Sequence, residues 1–500
     1  MNKLELLKKM SFGKRIAEEE AKDLSAYFVK TEQWRKIRSG EVDVVYGPKG
    51  SGKSALYSLL LGEVNSLFDE RIIAVPAENI RGTPAFKDVT ADPPLSQAEF
   101  VGLWKLYLLS LVGREIQAFQ LGGKDGHQVI EYLNALGLID KELSLQAVLN
   151  GAVRYAKRLF RPPQALEGGL SIDQNTGMPT GVTGKIVFSE PSADQRKAGI
   201  RSVDELFAIA NRALESAGYK IWLILDRLDV AFAETEELER NALRALFQAY
   251  LDLRPHAQVS LKIFLRSDIW GRIAEGGFRE ASHITEHLTI EWDSTSLLNL
   301  VVRRILANEH IARAYELNSE QVLQKVEEQR MLFNRIYPDQ VDSGPNKPTT
   351  FDWMLGRTRD GTGQSAPREL IHLLNSVKDS QIRMLENGEE PPPEDDLFSR
   401  AAIKAGLGEV SSVRLQQTLY AEYPGLKVHL EKLRGEKTQQ TPASLAAIWK
   451  LASEDALAIA QQLAEIGFFE LRGAKDEPIF WVPFLYREAL SMVQGSADSE

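Results

Sequence analysis

The chain contains no cysteine among its 500 residues. That excludes disulfides, thiolate metal sites and cysteine nucleophiles, and it fits a reducing compartment. No apolar run is long enough to cross a bilayer; the most apolar helical stretch, 101–112, is interrupted by Lys105. The opening ten residues hold Glu5 among lysines and have no apolar core, so no secretory signal is read there. Positive charge is not in excess either: 60 Lys and Arg stand against 70 Asp and Glu, a net charge of −10. No global field therefore draws the chain to a nucleic-acid backbone. The seven histidines lack metal-ligand spacing, and no nuclease or protease motif stands out. What remains is a cytoplasmic globular protein without a membrane segment. At 43% apolar and 26% charged residues its composition is ordinary, and its length calls for two to four domains.

Residues 4–38 read as charge-rich helix with Phe12, Tyr27, Phe28 and Trp34 interleaved. The β-branched run 42–46 then stops at Gly47, the texture of a parallel strand buried on both faces. Helix is expected from Lys53 to about Phe68 and a second strand from Arg71 to Pro76, closing a βαβ unit. An apolar helix follows at 97–119, with more helix to about 159. The Gly-, Thr- and Ser-rich stretch 168–191 carries an alternating run at 182–188 that suggests an inserted β-hairpin. Strands at 221–225 and 261–265, separated by the helical pattern 236–253, continue the alternation. This argues for an α/β fold with a doubly wound parallel sheet. Beyond Trp292 the pattern is helical, clearest at 297–307, 319–333 and 369–385. The acidic, proline-stiffened stretch 387–397 reads as a linker. Helices followed by a hairpin (468–471 and 479–482) then give winged-helix order. The expected organisation is an N-terminal helical segment (1–40), a sheet core with a helical and hairpin insertion at about 80–200 (41–292), a helical lid (293–386) and a winged helix (398–492).

Gly47-Pro48-Lys49-Gly50-Ser51-Gly52-Lys53-Ser54 satisfies G-x-x-x-x-G-K-[ST] between an expected strand and an expected helix. Its glycines let consecutive N–H groups face inward as an anion nest, and the following helix adds its positive end. Lys53 is positioned to neutralise β- and γ-phosphates, and Ser54 to place its hydroxyl on Mg²⁺. The ligand implied is a nucleoside triphosphate, ATP with Mg²⁺. Asp226 ends the strand 221–225 at its carboxyl end, where ligands bind in open α/β sheets, and is the second metal-holding residue. For the group that orients the attacking water, Asp229 and Glu78 are both candidates; a solvated loop carboxylate is the competing reading for each. Arg266 ends the strand 261–265, placed either to sense the γ-phosphate or to pair with Asp268 or Asp226. Arg368 opens a later helix, from which it could reach the nucleotide; a surface role is the alternative.

In the order GPKGSGKS (47–54), WLILDRLD (222–229), FLRSD (264–268) and APREL (366–370), the chain resembles FunZ-type bacterial P-loop ATPases, relatives of STAND and origin-recognition-type AAA+ ATPases. Ala26 to Thr31 and Trp292-Asp293 fit the same group. The resemblance implies a P-loop NTPase core in which Lys53 and Ser54 bind phosphates and Mg²⁺, Asp226 is the Walker B acid, Arg266 a sensor arginine and Arg368 a lid arginine contacting nucleotide. It also implies a regulatory ATPase that couples nucleotide state to self-assembly or to a separate effector protein, in settings that include phage defence. Arg227 departs from the wider pattern, where an acid is usual, which suits a slow, switch-like cycle. Arg303 and Arg304 are candidates for an arginine lent to a neighbouring subunit, against a solvated face or a lid salt bridge.

The other class of function is a DNA-binding initiator or regulator. Residues 400–500 hold 11 Lys or Arg against 13 Asp or Glu, where a DNA-binding module is basic. The candidate recognition helix, 455–466, has no Lys or Arg, and its Ala456, Ile459, Ala460, Leu463 and Ile466 form a packing stripe. Arg472 and Lys475 in the wing make at most a weak phosphate site. Protein contacts are the favoured use of this module.

Overall fold

The β-branched run ahead of the glycine-rich loop is strand β1 (Val44–Gly47), buried at all four positions. The computed structural model describes residues 2–14, 20, 24, 28–29, 31–77, 97–139, 193, 201–228, 236–275, 277–393, 395–474 and 477–497. The inserted hairpin expected at 182–188, and the candidates Glu78, Asp229 and Lys475, lie outside the described residues. The chain divides into two compact units. One comprises Glu32–Tyr46 and Leu56–Thr289; the other comprises Met1–Thr31, Gly47–Ala55 and Ile290–Glu500.

In the first unit, β2 (Ile72–Pro76), β3 (Lys220–Leu225), β4 (Val259–Arg266) and β5 (His287–Thr289) join β1 in the order β2-β3-β4-β1-β5. Strands β2 and β3, β3 and β4, and β1 and β5 pair in parallel. This is the α/β class expected. Helices Gln97–Ala118, Val203–Ala217 and Glu236–Leu253 bury their apolar stripes in the core that the sheet shares. The lysine that interrupts the most apolar of them is neutralised rather than exposed: Lys105 lies 2.9 Å from Asp204 and 2.6 Å from Asp252. The helix expected over 53–68 is two, Lys53–Gly62 and Val64–Asp69. Gly62, whose missing side chain raises the entropy cost of helix, marks the break.

One buried ion pair fixes the strand that feeds the loop. Lys262 on β4 is 2% exposed, and its Nζ lies 2.7 Å from Asp43 Oδ1, just before β1. It also donates to the Val42 carbonyl at 2.9 Å and sits 4.7 Å from the Trp222 ring centre. Tyr250 Oη donates to Asp43 Oδ2 at 3.2 Å. All of the charge is therefore met inside the sheet, where an unmatched partner would be costly.

In the second unit the helices Ser294–Leu306, Val326–Ile336, Thr350–Thr358, Pro367–Glu386 and Arg400–Arg414 share a core with the C-terminal elements. The helix expected over 319–333 is broken at Lys325, whose extended backbone separates Ser319–Gln324 from Val326–Ile336. Packing overrides propensity there: Val322, Leu332, Phe333 and Ile336 are buried on both sides of the break. A small sheet ends the chain, β6 (Lys437–Gln440), β7 (Glu470–Ala474), β8 (Glu477–Trp481) and β9 (Val493–Ser496), in the order β7-β8-β6-β9. Strands β7 and β8 form the expected hairpin, preceded by helix Ser453–Glu465 with Ala456, Ala460 and Leu463 buried.

Arg304 takes one of the alternatives named for it, a salt bridge. It is 4% exposed and engages Glu20 with both terminal nitrogens at 3.0 Å, while also donating to the Phe12 carbonyl. A bidentate buried pair of this kind holds the N-terminal segment to helix Ser294–Leu306 and commits the Arg304 guanidinium. Arg303 donates through Nε to Asn299 Oδ1 at 2.8 Å within its own helix.

Replacing Lys262 by alanine leaves Asp43 buried and unmatched, and is expected to cost about 3–5 kcal/mol of stability. Chemical denaturation measures it; a loss under about 1 kcal/mol contradicts the assignment.

Candidate functional site

The glycine-rich loop has the geometry of an anion cradle. Gly50 and Gly52 adopt φ of +82° and +99°, conformations that side chains disfavour, and the Ser51 amide closes a turn onto the Pro48 carbonyl at 3.2 Å. A Cβ at Gly52 would meet nothing within 4 Å, so the cradle is open there. Helix Lys53–Gly62 starts directly after it, adding its positive end. Lys53 curls back over the loop: its Nζ donates to the Gly47 carbonyl at 2.8 Å and the Pro48 carbonyl at 2.9 Å. The ammonium is thus held by the loop it serves. Ser54 occupies the second position of the helix and is partly accessible.

The loop is braced by residues of its own unit. Trp292 Nε1 donates to the Ser51 carbonyl at 2.8 Å, which gives the tryptophan ahead of the lid a physical task. Asp293 beside it caps helix Ser294–Leu306 by accepting from the Ser296 amide at 2.6 Å. That backbone hydrogen bond holds its carboxyl below the ordinary carboxylate range. Helix Pro367–Glu386 brings its first turn onto Gly50: a methyl group there would meet Arg368 Cβ and a Glu369 carboxylate oxygen, each at 3.1 Å. Proline at its first position fixes the helix start, and no side chain caps the first-turn amides. The structure therefore sets the stem of Arg368 beside the glycine-rich loop.

Sequence reading missed the neighbour of that arginine. Glu369 is 5% exposed and accepts from Arg414 Nη1 at 2.7 Å, while Arg414 Nη2 lies 3.7 Å from Asp360. Burial pushes the Asp360 carboxyl up. Lys49 forms an ion pair with Glu422. Both contacts join the loop and its lid to the segment 400–423, across more than 40 residues of sequence, and no local pattern signals them. The hint available was a charged residue, Glu369, directly ahead of the apolar run Leu370, Ile371, Leu373 and Leu374.

A cavity of about 220 Å³ opens on the other side of this arrangement, lined by Pro48, Ser51, Trp292, Leu297, Leu355 and Gln364 among others. Its wall is mixed, with Ile290, Leu297 and Leu355 beside the polar Glu291, Arg359 and Gln364.

In the sheet unit, Asp226 follows β3 and is 4% exposed. The next residue, Arg227, takes a left-handed φ of +56°, strain uncommon outside glycine and frequent at functional turns. Strand order sets β4 between β1 and β3, so Arg266 leaves the strand between the one that runs into the loop and the one that ends at Asp226. Arg266 Nε and Nη2 bind Asp268 at 3.0 and 2.8 Å. Burial alone would raise the Asp268 carboxyl, but the guanidinium holds it below its ordinary value. The Ser54 hydroxyl and the Asp226 carboxylate are each hard oxygen donors, the kind that suits Mg²⁺, and they belong to different units.

Gly50→Ala forces an alanine into a left-handed conformation against the lid. About 1–2 kcal/mol of destabilisation is expected, with loss of ordered lid packing. Thermal melting of the variant checks it; an unchanged transition contradicts the reading of Gly50.

No protein-family model and no curated protein matches this chain. Eleven chains of solved structures match. One is the Aeropyrum pernix ORC2 protein in its ADPNP-ADP complexes, at 12% identity over 96% of each chain and a TM-score of 0.30. A likeness this distant carries no argument about activity.

Proposed function

We propose that the chain is an ATP-binding, slowly hydrolysing P-loop ATPase that works as a nucleotide-dependent switch. The observation that carries this reading is the loop 47–54 itself: two left-handed glycines at a helix start, with Lys53 folded over the cradle. That arrangement suits a polyphosphate through backbone N–H groups and one ammonium. The base of the nucleotide would enter the cavity bounded by Pro48, Trp292, Leu297 and Leu355. Ser54 and Asp226 remain the candidates for holding Mg²⁺, whose charge would offset that of the phosphates.

The chain's own residues supply the rest. Lys53 exchanges its two carbonyl partners for phosphate oxygens, trading neutral acceptors for charged ones. Arg368, whose Cβ lies beside Gly50, would reach the same loop, so its engagement would depend on where the first turn of Pro367–Glu386 rests. Asp229 and Glu78 remain the candidates for orienting water, and Arg266 the candidate for opposing charge on the γ-phosphate. Self-assembly and a separate effector are the outputs that the sequence resemblance suggests.

The switch element is the pair of contacts from loop and lid to segment 400–423: Lys49 with Glu422, and Glu369 with Arg414. A phosphate in the cradle competes with Glu422 for Lys49, so filling the loop biases this segment. DNA binding by helix Ser453–Glu465 is disfavoured by its acidic first turn and its lack of basic residues.

Lys53→Ala is expected to abolish binding of a fluorescent ATP analogue while leaving the melting curve intact; normal affinity in that variant refutes the assignment. Glu422→Gln removes the counter-charge of Lys49. Without nucleotide it should speed amide exchange across 415–423 about fivefold, the equivalent of about 1 kcal/mol. Saturating Mg·ATP should erase the difference between the two proteins. Identical exchange in both nucleotide-free proteins contradicts the switch.

A further inference from the structure

Three arginines and three aromatic rings alternate between the lid and the C-terminal sheet. Arg357 on helix Thr350–Thr358 lies 4.1 Å from the Trp353 ring centre and 4.5 Å from that of Phe484. Arg487 lies 4.0 Å from Phe484 and 4.4 Å from Trp481. Arg472, on β7, completes the series 3.8 Å from Trp481. The outer two arginines have acidic company: Arg472 binds Glu470 at 2.7 Å, and Arg357 lies 3.6 Å from Asp342.

Arg487 does not. It is 8% exposed, its Nε donates to the Val482 carbonyl and its Nη1 to Gln494 Oε1, each at 2.8 Å. Its buried Nη2 has no hydrogen-bond partner, and no described carboxylate lies within ion-pair distance. A buried cation without a counter-charge is costly, and its two cation–π contacts offset only part of that cost. Burial, then Arg472 and Arg357, push its pKa down to about 10.

Arg487 also lines a cavity of about 570 Å³, within the range of small-molecule sites. Lys404 stands in the same wall, 2.7 Å from Asp342, and Leu407, Phe484 and Met492 give it an apolar side. Glu488, the acid in the wall, is exposed, and desolvation raises its carboxyl. Counting Arg357, Arg472, Arg487 and Lys404 against Asp342, Glu470 and Glu488 leaves an excess of one positive charge. A phosphate monoester carries about −1.5 to −2 at neutral pH and more than answers that excess.

We propose that this cavity binds a small phosphate monoester bearing an apolar or aromatic group. The phosphate would lie against Arg487 and Lys404, and the organic group against Leu407, Phe484 and Met492. The site is built from residues outside the phosphate loop and does not depend on the loop's reading. Bound ligand would bridge lid helix Thr350–Thr358 and the terminal helix Phe484–Arg487, both represented in the cavity wall.

Calorimetry with phenyl phosphate on the full-length Lys53→Ala protein tests it free of the loop. Expected is one-to-one binding, about tenfold tighter than benzoate or inorganic phosphate, since each of these lacks one charge or the ring. Lys404→Gln, at a half-exposed position, should weaken it about tenfold without changing the melting temperature. Arg487→Gln should abolish it. No heat with phenyl phosphate at millimolar concentration overturns the proposal, as does binding that Lys404→Gln leaves unchanged. If Arg487→Gln fails to fold, Lys404→Gln alone decides. A lowered melting temperature for Arg487→Gln with no ligand heat in the parent also overturns it, leaving the stack as a structural clasp.

Discussion

The whole account depends on main-chain amides turned inward by Gly50 and Gly52 and answered by a single ammonium from Lys53. Backbone N–H groups are fixed dipoles that cost no side-chain entropy to aim, so a loop of this shape is prepared for an anion before one arrives. Everything else near it serves to keep that shape. Strand β1 is buried at every position, so it cannot shift register without exposing its side chains. Lys262 and Asp43 tie it to β4 by a charge pair that tolerates no loss of either partner. Trp292 holds the Ser51 carbonyl outward, and the first turn of Pro367–Glu386 closes on Gly50.

Much of this was legible in the sequence. The letters of 47–54 fix both the glycine conformations and the lysine, because an L side chain at φ of +82° or +99° is disfavoured. Periodicity located Val203–Ala217 and Glu236–Leu253, whose capping residue or apolar stripe marks them in the sequence. Asp226 at the end of β3 followed from a run of buried residues stopping at an acid. Where two helices were expected to be continuous, Gly62 and Lys325 broke them, one through backbone entropy and one through packing that no local window contains.

The missed residues share a cause. Lys49–Glu422, Glu369–Arg414 and the stack built on Arg487 all join positions far apart in sequence. A glutamate one residue past the expected lid arginine looks like a helix surface charge until its counter-ion arrives from another helix. For Arg304 the sequence offered a salt bridge among its alternatives but not the partner, because Glu20 lies more than 280 positions away. Charge placement in an apolar segment is the one local clue that both cases offered.

Function then turns on whether the cradle, once filled, alters what the lid and segment 400–423 rest upon. Lys49 and Glu369 sit where loop occupancy and the packing of that segment meet. The most direct measurement is amide hydrogen exchange at 47–54 with and without Mg·ATP. Slowed exchange concentrated at the amides of 50–54, absent when AMP replaces ATP, is the result the account predicts. Unchanged exchange across the loop at saturating Mg·ATP would contradict it.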